Sequence, residues 1–117
     1  MNYAVLFYES TADLAEPKSR ESGPVRQAWM AYMKTVVDAG IMRGGNGLQV
    51  PATATTVRIR DGKRKLEDGP FADTKEQLGG FIEIEVSNLD EALEWAARAP
   101  CAGTGSVEVR PILAGSD

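Results

Sequence analysis

The chain opens on an unbroken apolar and aromatic run, Tyr3-Ala4-Val5-Leu6-Phe7-Tyr8. A run of that length without polar interruption is the pattern of a strand buried on both faces. A polar stretch from Glu9 to Ser22 follows and reads as a loop. Gly23-Pro24 then opens a helix, with the proline in the first turn, where its missing N–H removes no hydrogen bond. Val25, Trp29, Tyr32, Met33, Val36 and Val37 recur at three- and four-residue steps and lay one apolar stripe along that helix. Gly40 ends it, at the position where left-handed backbone is wanted.

Ile41 to Val50 predicts a strand interrupted by Gly44-Gly45-Asn46-Gly47. Such glycines suggest a phosphate cradle, but no Lys-Ser/Thr follows and no helix begins there, so a bulge or turn is the better reading. Thr55 to Arg60 alternates cleanly and is expected to pair with Arg64 to Glu67 across Asp61-Gly62-Lys63, as a hairpin. Gly80 to Val86 alternates again. Asn88 and Glu91 form a capping box for a helix that buries Leu89, Ala92, Leu93 and Ala96 and stops at Pro100. Ser106 to Leu113 is the last strand. The order β-α-β-hairpin-β-α-β over 1–117 predicts a single α+β domain. Its expected form is a ferredoxin-like split βαβ, an antiparallel sheet with both helices on one face.

The face without helices then needs an account. Val57 and Ile59 point one way, and Arg58 and Arg60 the other. Ile82, Ile84 and Val86 share a face and leave Phe81, Glu83 and Glu85 opposite, while Val107 and Val109 oppose Glu108, Arg110 and Ile112. The uncovered face is therefore expected to mix Arg58, Arg60, Glu83, Glu85, Glu108 and Arg110 beside an apolar first strand. Exposed cross-strand ion pairs are worth under about 1 kcal/mol each, so a solvated face would be stable enough. One apolar set of the first strand must also lie on that face, which favours two copies packed face to face around a charged cavity.

Composition narrows the chemistry. At 117 residues and 12.6 kDa the chain can build one core. With 43% hydrophobic and 26% charged residues it has the make-up of a folded domain. A net charge of -4, and no segment rich in Lys or Arg, argue against nucleic-acid or anionic-membrane partners. No apolar run reaches membrane-spanning length, and Met1-Asn2-Tyr3 leads into a strand without a basic leader, so the expected location is cytoplasmic. The lone Cys101 cannot form an intrachain disulfide and reads as a small buried residue. The chain has no His, which removes Ser-His-Asp chemistry, imidazole bases and the usual zinc and iron ligand sets. No metal or cofactor is expected, and any catalysis would rest on carboxylates, Lys, Arg, Tyr or water. Trp29 and Trp95 read as core.

One stretch stands out, Asp68-Gly69-Pro70-Phe71-Ala72-Asp73-Thr74-Lys75-Glu76-Gln77-Leu78-Gly79-Gly80-Phe81. Asp68-Gly69-Pro70 is a turn, and Asp73-Thr74-Lys75-Glu76 is a second capping box that predicts a short helical turn. These readings leave open why Asp68, Asp73, Lys75 and Glu76 cluster beside an exposed sheet edge. Such a cluster can tune a carboxylate or offer a cation to an anionic ligand.

This stretch, with "ATATTVRIRDGK" before it and "LDEALEWAARAP" and "GSVEVRPI" after it, resembles the DGPF branch of the YCII-related family over nearly the whole chain. The resemblance implies a ferredoxin-like subunit that pairs through its sheet into a dimeric α/β barrel. It also implies bacterial relatives, largely of unknown activity and often encoded beside extracytoplasmic-function sigma factors. Some relatives carry a His-Asp pair in a cleft, and one group eliminates chloride from chlorinated hydroquinones. Asp68 matches the family's Asp, but the His partner is missing, so what carries over is fold, dimer and pocket position. That pocket would lie near Asp68, Phe71, Lys75 and Glu76, with Arg58 and Arg110 on adjoining strands. Two functions remain open. In one, a cofactor-free enzyme uses Asp68 or Glu76 as base and Arg58, Arg110 or Lys75 to stabilise an enolate or phenolate. In the other, a homodimer binds a small anionic or aromatic metabolite through Arg58, Arg110, Lys75 and Phe71, or docks onto a partner such as a sigma factor.

Overall fold

The computed structural model describes residues 1–14 and 23–115. Its strands are β1 (Asn2–Ser10), β2 (Met42–Gly47), β3 (Thr55–Arg60), β4 (Lys63–Asp68), β5 (Glu76–Glu85) and β6 (Ser106–Pro111). Its helices are α1 (Thr11–Leu14), α2 (Gly23–Asp38) and α3 (Leu89–Ala97). β1 pairs antiparallel with β5 and β6, and β5 pairs antiparallel with β2. The resulting order β2-β5-β1-β6, with α2 and α3 as the two crossovers, is the ferredoxin-like α+β arrangement.

The core forms where the strand period meets the helix period. Tyr3, Val5 and Phe7 of β1 and Ile82 and Ile84 of β5 point to one side. Tyr32 and Val36 of α2 and Ala92 and Ala96 of α3 close over them, so both helices cover the same face. Small alanines let α3 approach the sheet closely, while α2 brings aromatic bulk. The stripe on α2 is narrower than the sequence spacing predicts: Tyr32 and Val36 are buried, whereas Val25 and Val37 are exposed. Gly40 ends α2 with φ 73, as its position predicts. Asn88 accepts a hydrogen bond from Glu91 N–H at 2.9 Å, so the expected cap is made, while the Glu91 carboxylate accepts from the Ser87 N–H at 3.1 Å, one residue before the cap, rather than from Asn88.

Several sequence expectations change, among them Leu89 and Leu93 of α3, which are exposed rather than buried. β1 is buried on one face only; Ala4, Leu6 and Tyr8 are half-buried on the other, and the strand continues through Glu9 to Ser10. The rest of the expected loop, 15–22, lies outside the described residues. No helical turn forms at 73–76. Instead the Gln77 side-chain amide donates to the carbonyls of Ala72 (2.8 Å) and Thr74 (3.2 Å), stitching the loop without a helix, and β5 begins at Glu76 rather than Gly80.

One further change matters most for function. β3 and β4 form a separate two-stranded sheet, so Arg58 and Arg60 do not lie on the open face of the main sheet. The turn between them is the two residues Asp61 and Gly62, with φ of 53 and 73, the left-handed pair that matches the twist of a hairpin. Only Thr56 and Arg58 in this ribbon are even half-buried. The radius of gyration, 15.7 Å, exceeds the roughly 13 Å of a compact chain this long, in keeping with an arm held off the body.

Candidate functional site

The bulge on β5 builds the site. Phe7 pairs with Gly80 but Tyr8 pairs with Leu78, which leaves Gly79 as the extra residue. A Cβ on Gly79 would overlap Glu9 Oε2 and sit 2.8 Å from its Cδ, so the missing side chain is the space that the Glu9 carboxylate fills. Gly80 is approached less tightly from the other side, where a Cβ would stand 3.0 Å from the Asn46 carbonyl of β2. The paired glycines thus serve two neighbours, one a carboxylate and one a backbone.

Glu9 is in phase with Tyr3, Val5 and Phe7 and is 4% exposed, a buried carboxylate on the helix-covered face. It lines a cavity of about 600 Å³ between α2, β2 and β5. Phe7, Trp29, Met30, Met33 and Met42 make the apolar wall. The Phe7 and Trp29 rings meet edge to face with centroids 5.0 Å apart, and Tyr32 packs against both at 6.0 Å. The methionines add unbranched, polarizable walls that adapt to a ligand's outline. Arg26, Trp29, Met30 and Met33 share one face of α2 by their three- and four-residue spacing, which brings an exposed guanidinium to the cavity. The other wall is backbone, at 45–47 of β2 and 79–80 of β5, with Gln49 and Val50 beyond.

The glycines of β2 belong to this wall. The glycines do not interrupt the strand as expected: 44–47 pair along β5, and the bulge falls just before them, at Arg43 between Met42 and Gly44. Gly45 has φ 143, and a Cβ there would stand 2.7 Å from Ile82 Cα, so only glycine lets β2 lie this close to β5. Behind the cavity, the Tyr32 hydroxyl donates to the Trp95 carbonyl at 3.0 Å. Burial pushes the Tyr32 phenol up to about 12; Cys101 reinforces the shift and Arg98 opposes it.

A cavity of several hundred cubic ångströms, mostly apolar with a few polar groups, is the form of a small-molecule site. Glu9 can accept hydrogen bonds from a hydroxyl, the aromatic wall can hold a flat ring, and Arg26 can meet an anionic substituent. Among the described residues no group of His, Cys, Asp and Glu is arranged to hold a metal ion. No helix there is long and apolar enough to cross a membrane.

The residues singled out from sequence lie elsewhere. Asp68 is exposed at the end of β4 opposite Thr55, where the Gly69 N–H donates to the Ala54 carbonyl at 2.7 Å and closes the base of the hairpin. Phe71 is 78% exposed. The Lys75 side chain is exposed, and its carbonyl accepts from Thr11 N–H at 2.8 Å. Glu76 is half-buried at the start of β5, opposite Ser10. These four lie in or at the ends of the loop between β4 and β5, beside a shallow hollow of about 230 Å³ lined in part by Pro70, Asp73 and Gln77. Arg58 is on the separate ribbon, 3.7 Å from Glu67. Arg110 pairs with Glu108 on β6 at the level of Ala4, about 20 Å of strand from Ser10 and Glu76. None of the six lines the large cavity. Sequence reading ended the first strand at Tyr8 and so missed Glu9. Extending the alternation of Tyr3, Val5 and Phe7 by one step would have found it.

Comparison with known proteins places the chain. A family profile described as the YCII-related domain matches residues 1–114. An uncharacterised protein of Rhizobium meliloti (strain 1021) is 41% identical over 115 residues, covering 96% of this chain and 92% of that one. The structure of a 5-chloro-2-hydroxyhydroquinone dehydrochlorinase from Burkholderia phenoliruptrix AC1100, in complex with 2,5-dihydroxybenzoquinone, superposes with a TM-score of 0.56. That comparison has 17% identity over 98% of this chain and 96% of the other, which is a likeness of fold. The resemblance first carried by the motif around Asp68 therefore holds along the chain, and the protein belongs to the YCII-related family.

Proposed function

We propose that this protein binds a small hydroxylated aromatic molecule in the cavity between α2, β2 and β5, and does so as a homodimer paired through the open face of its sheet. The observation that carries the reading is the Glu9 carboxylate, buried at the wall of an apolar, aromatic-lined cavity of about 600 Å³. A flat ring fits beside Phe7 and Trp29, a ring hydroxyl donates to Glu9, and an anionic substituent meets Arg26. The dehydrochlorinase was solved with a ligand of this class, but that likeness supports the fold alone. The ligand class rests on this chain's own cavity. The homodimer is supported by the half-buried Ala4, Leu6, Tyr8 and Leu78 and the exposed Phe81 on the side away from the helices.

Titration calorimetry with 2,5-dihydroxybenzoquinone and a set of hydroquinones tests the ligand. Binding is expected in the wild type. It should weaken about 10- to 100-fold in Glu9→Gln, as for loss of a hydrogen bond to a charged group. Failure of every hydroxylated ring to bind would refute the reading.

The same carboxylate favours a second reading, a cofactor-free enzyme in which Glu9 takes a proton from the bound ring. Asp68 and Glu76 are the alternative bases, outside the cavity. Product analysis by chromatography separates them: loss of turnover in Glu9→Gln, with Asp68→Asn and Glu76→Gln unaffected, supports the cavity base. The opposite pattern moves the chemistry to the loop.

A further inference from the structure

The cavity is larger than one aromatic ring needs. An apolar cavity of about 150 Å³ is enough to hold benzene. This one measures about 600 Å³. Its lining is buried at one end and bare at the other: Phe7 and Glu9 are each 4% exposed, whereas Met30 is 57% and Leu48 40% exposed. A single ring seated against Phe7 and Glu9 leaves those two apolar side chains in water.

Glycines make the extra room. Directly opposed residues of an antiparallel pair share a face, and Phe7 and Ile82 point toward the helices. Gly80 opposes Phe7, Gly47 opposes Gly80 and Gly45 opposes Ile82, so all three glycines stand on the helix-covered face. Past Met42, the helix-facing positions of β2 therefore carry no side chain, and the cavity floor opposite α2 is peptide backbone. Gly45 and Gly80 are pressed by a neighbouring strand, at 2.7 Å from Ile82 Cα and 3.0 Å from the Asn46 carbonyl for a Cβ. Gly47 is different. It lies outside the left-handed region, and a Cβ there would meet no atom within 4 Å. Its missing side chain relieves no clash and only leaves space. That space is two strands from Phe7, about 10 Å at roughly 4.8 Å per strand.

We propose that the ligand is a hydroxylated aromatic of two or three fused rings, and that Gly47 is the residue that sets this size. The hydroxylated ring lies against Phe7 and Trp29 with its hydroxyl donating to Glu9. The further rings extend across β5 to the backbone of β2, where they cover Met30 and Leu48. A planar ring system suits a slot with a side-chain-free floor and an apolar, aromatic wall. A β-branched side chain at 47 fills the floor under the outer rings, fits a strand, and leaves the Glu9 end untouched. The inference rests on the cavity reading above and narrows the ligand within it.

Titration calorimetry with catechol, 2,3-dihydroxynaphthalene and 1,2-dihydroxyanthraquinone tests it, since these carry the same adjacent hydroxyl pair on a growing ring system. The wild type is compared with Gly47→Ala and Gly47→Val, and circular dichroism checks that each variant folds. In the wild type the two larger compounds should bind about tenfold or more tightly than catechol, through the added apolar area they bury. Gly47→Val should weaken the larger compounds about tenfold or more and catechol by less than about threefold, with Gly47→Ala between. Equal affinity across the series overturns the inference and leaves the cavity reading standing. So does a Gly47→Val loss that is absent or the same for every compound. Failure of all three to bind overturns the inference, and the cavity reading with it when the hydroquinones fail as well.

Discussion

Gly79→Ala isolates the fit between the glycine pair and the buried carboxylate. Gly79 does not occupy the left-handed region, so alanine costs no backbone strain there. The new methyl would overlap Glu9 Oε2, with Cδ at 2.8 Å and Cγ at 3.4 Å. Carbon atoms in contact prefer about 3.5–4.0 Å, so the carboxylate must move by an ångström or so. It is buried, and leaving its place means disturbing packed neighbours. Overpacking of this kind costs about 1–3 kcal/mol. A loss of about 2 kcal/mol moves the urea midpoint down by roughly 1 M, given slopes of about 1–3 kcal/mol/M.

The decisive comparison is the same substitution in a Glu9→Ala background. With the carboxylate gone the clash is gone, and replacing glycine at an unstrained position should stabilise by about 0.4–1 kcal/mol. The effect of Gly79→Ala is therefore expected to change sign between the two backgrounds, a coupling of roughly 1.5–4 kcal/mol. Equilibrium urea unfolding at one fixed protein concentration measures all four proteins. An equal effect of Gly79→Ala in both backgrounds would refute the idea that this glycine exists to seat Glu9.

Three further outcomes are expected. The Tyr32 phenol has its folded pKa raised from 10.0 to about 12, so its neutral form contributes stability that is complete below pH 10 and lost as pH rises toward 12. Urea midpoints at pH 9 and pH 11.5 should differ more for the wild type than for Tyr32→Phe; an equal difference would remove Tyr32 from the alkaline loss. Asn88→Ala should cost about 1 kcal/mol through the lost cap on α3, and Asn88→Asp much less, by the same unfolding assay. Lys34→Ala should change stability by less than about 0.5 kcal/mol, because its bond to Asp38 joins two exposed side chains; a loss above 1 kcal/mol would contradict that assignment.

The sequence by itself determined the α+β order, the ferredoxin-like arrangement, the two long helices and the caps, because these depend on local periodicity and on turn chemistry. Asn88 with Glu91 caps a helix wherever the chain folds, and Asp61-Gly62 turns a hairpin from backbone preference alone. Family membership was legible for a similar reason, since a long motif carries its own identity. Tertiary structure decided the rest. A capping pattern at 73–76 lost to Gln77, whose amide satisfies the loop's carbonyls without a helix. The alternation of Thr55 to Arg60 gave a strand but not its sheet, because pairing partners are chosen by distant residues, and the hairpin stayed apart. Glu9 looked like the start of a polar loop, and Gly79-Gly80 like the opening of a strand. Only the bulged register of β1 on β5 brings the carboxylate into the glycine gap, and that register is a property of strands separated by most of the chain.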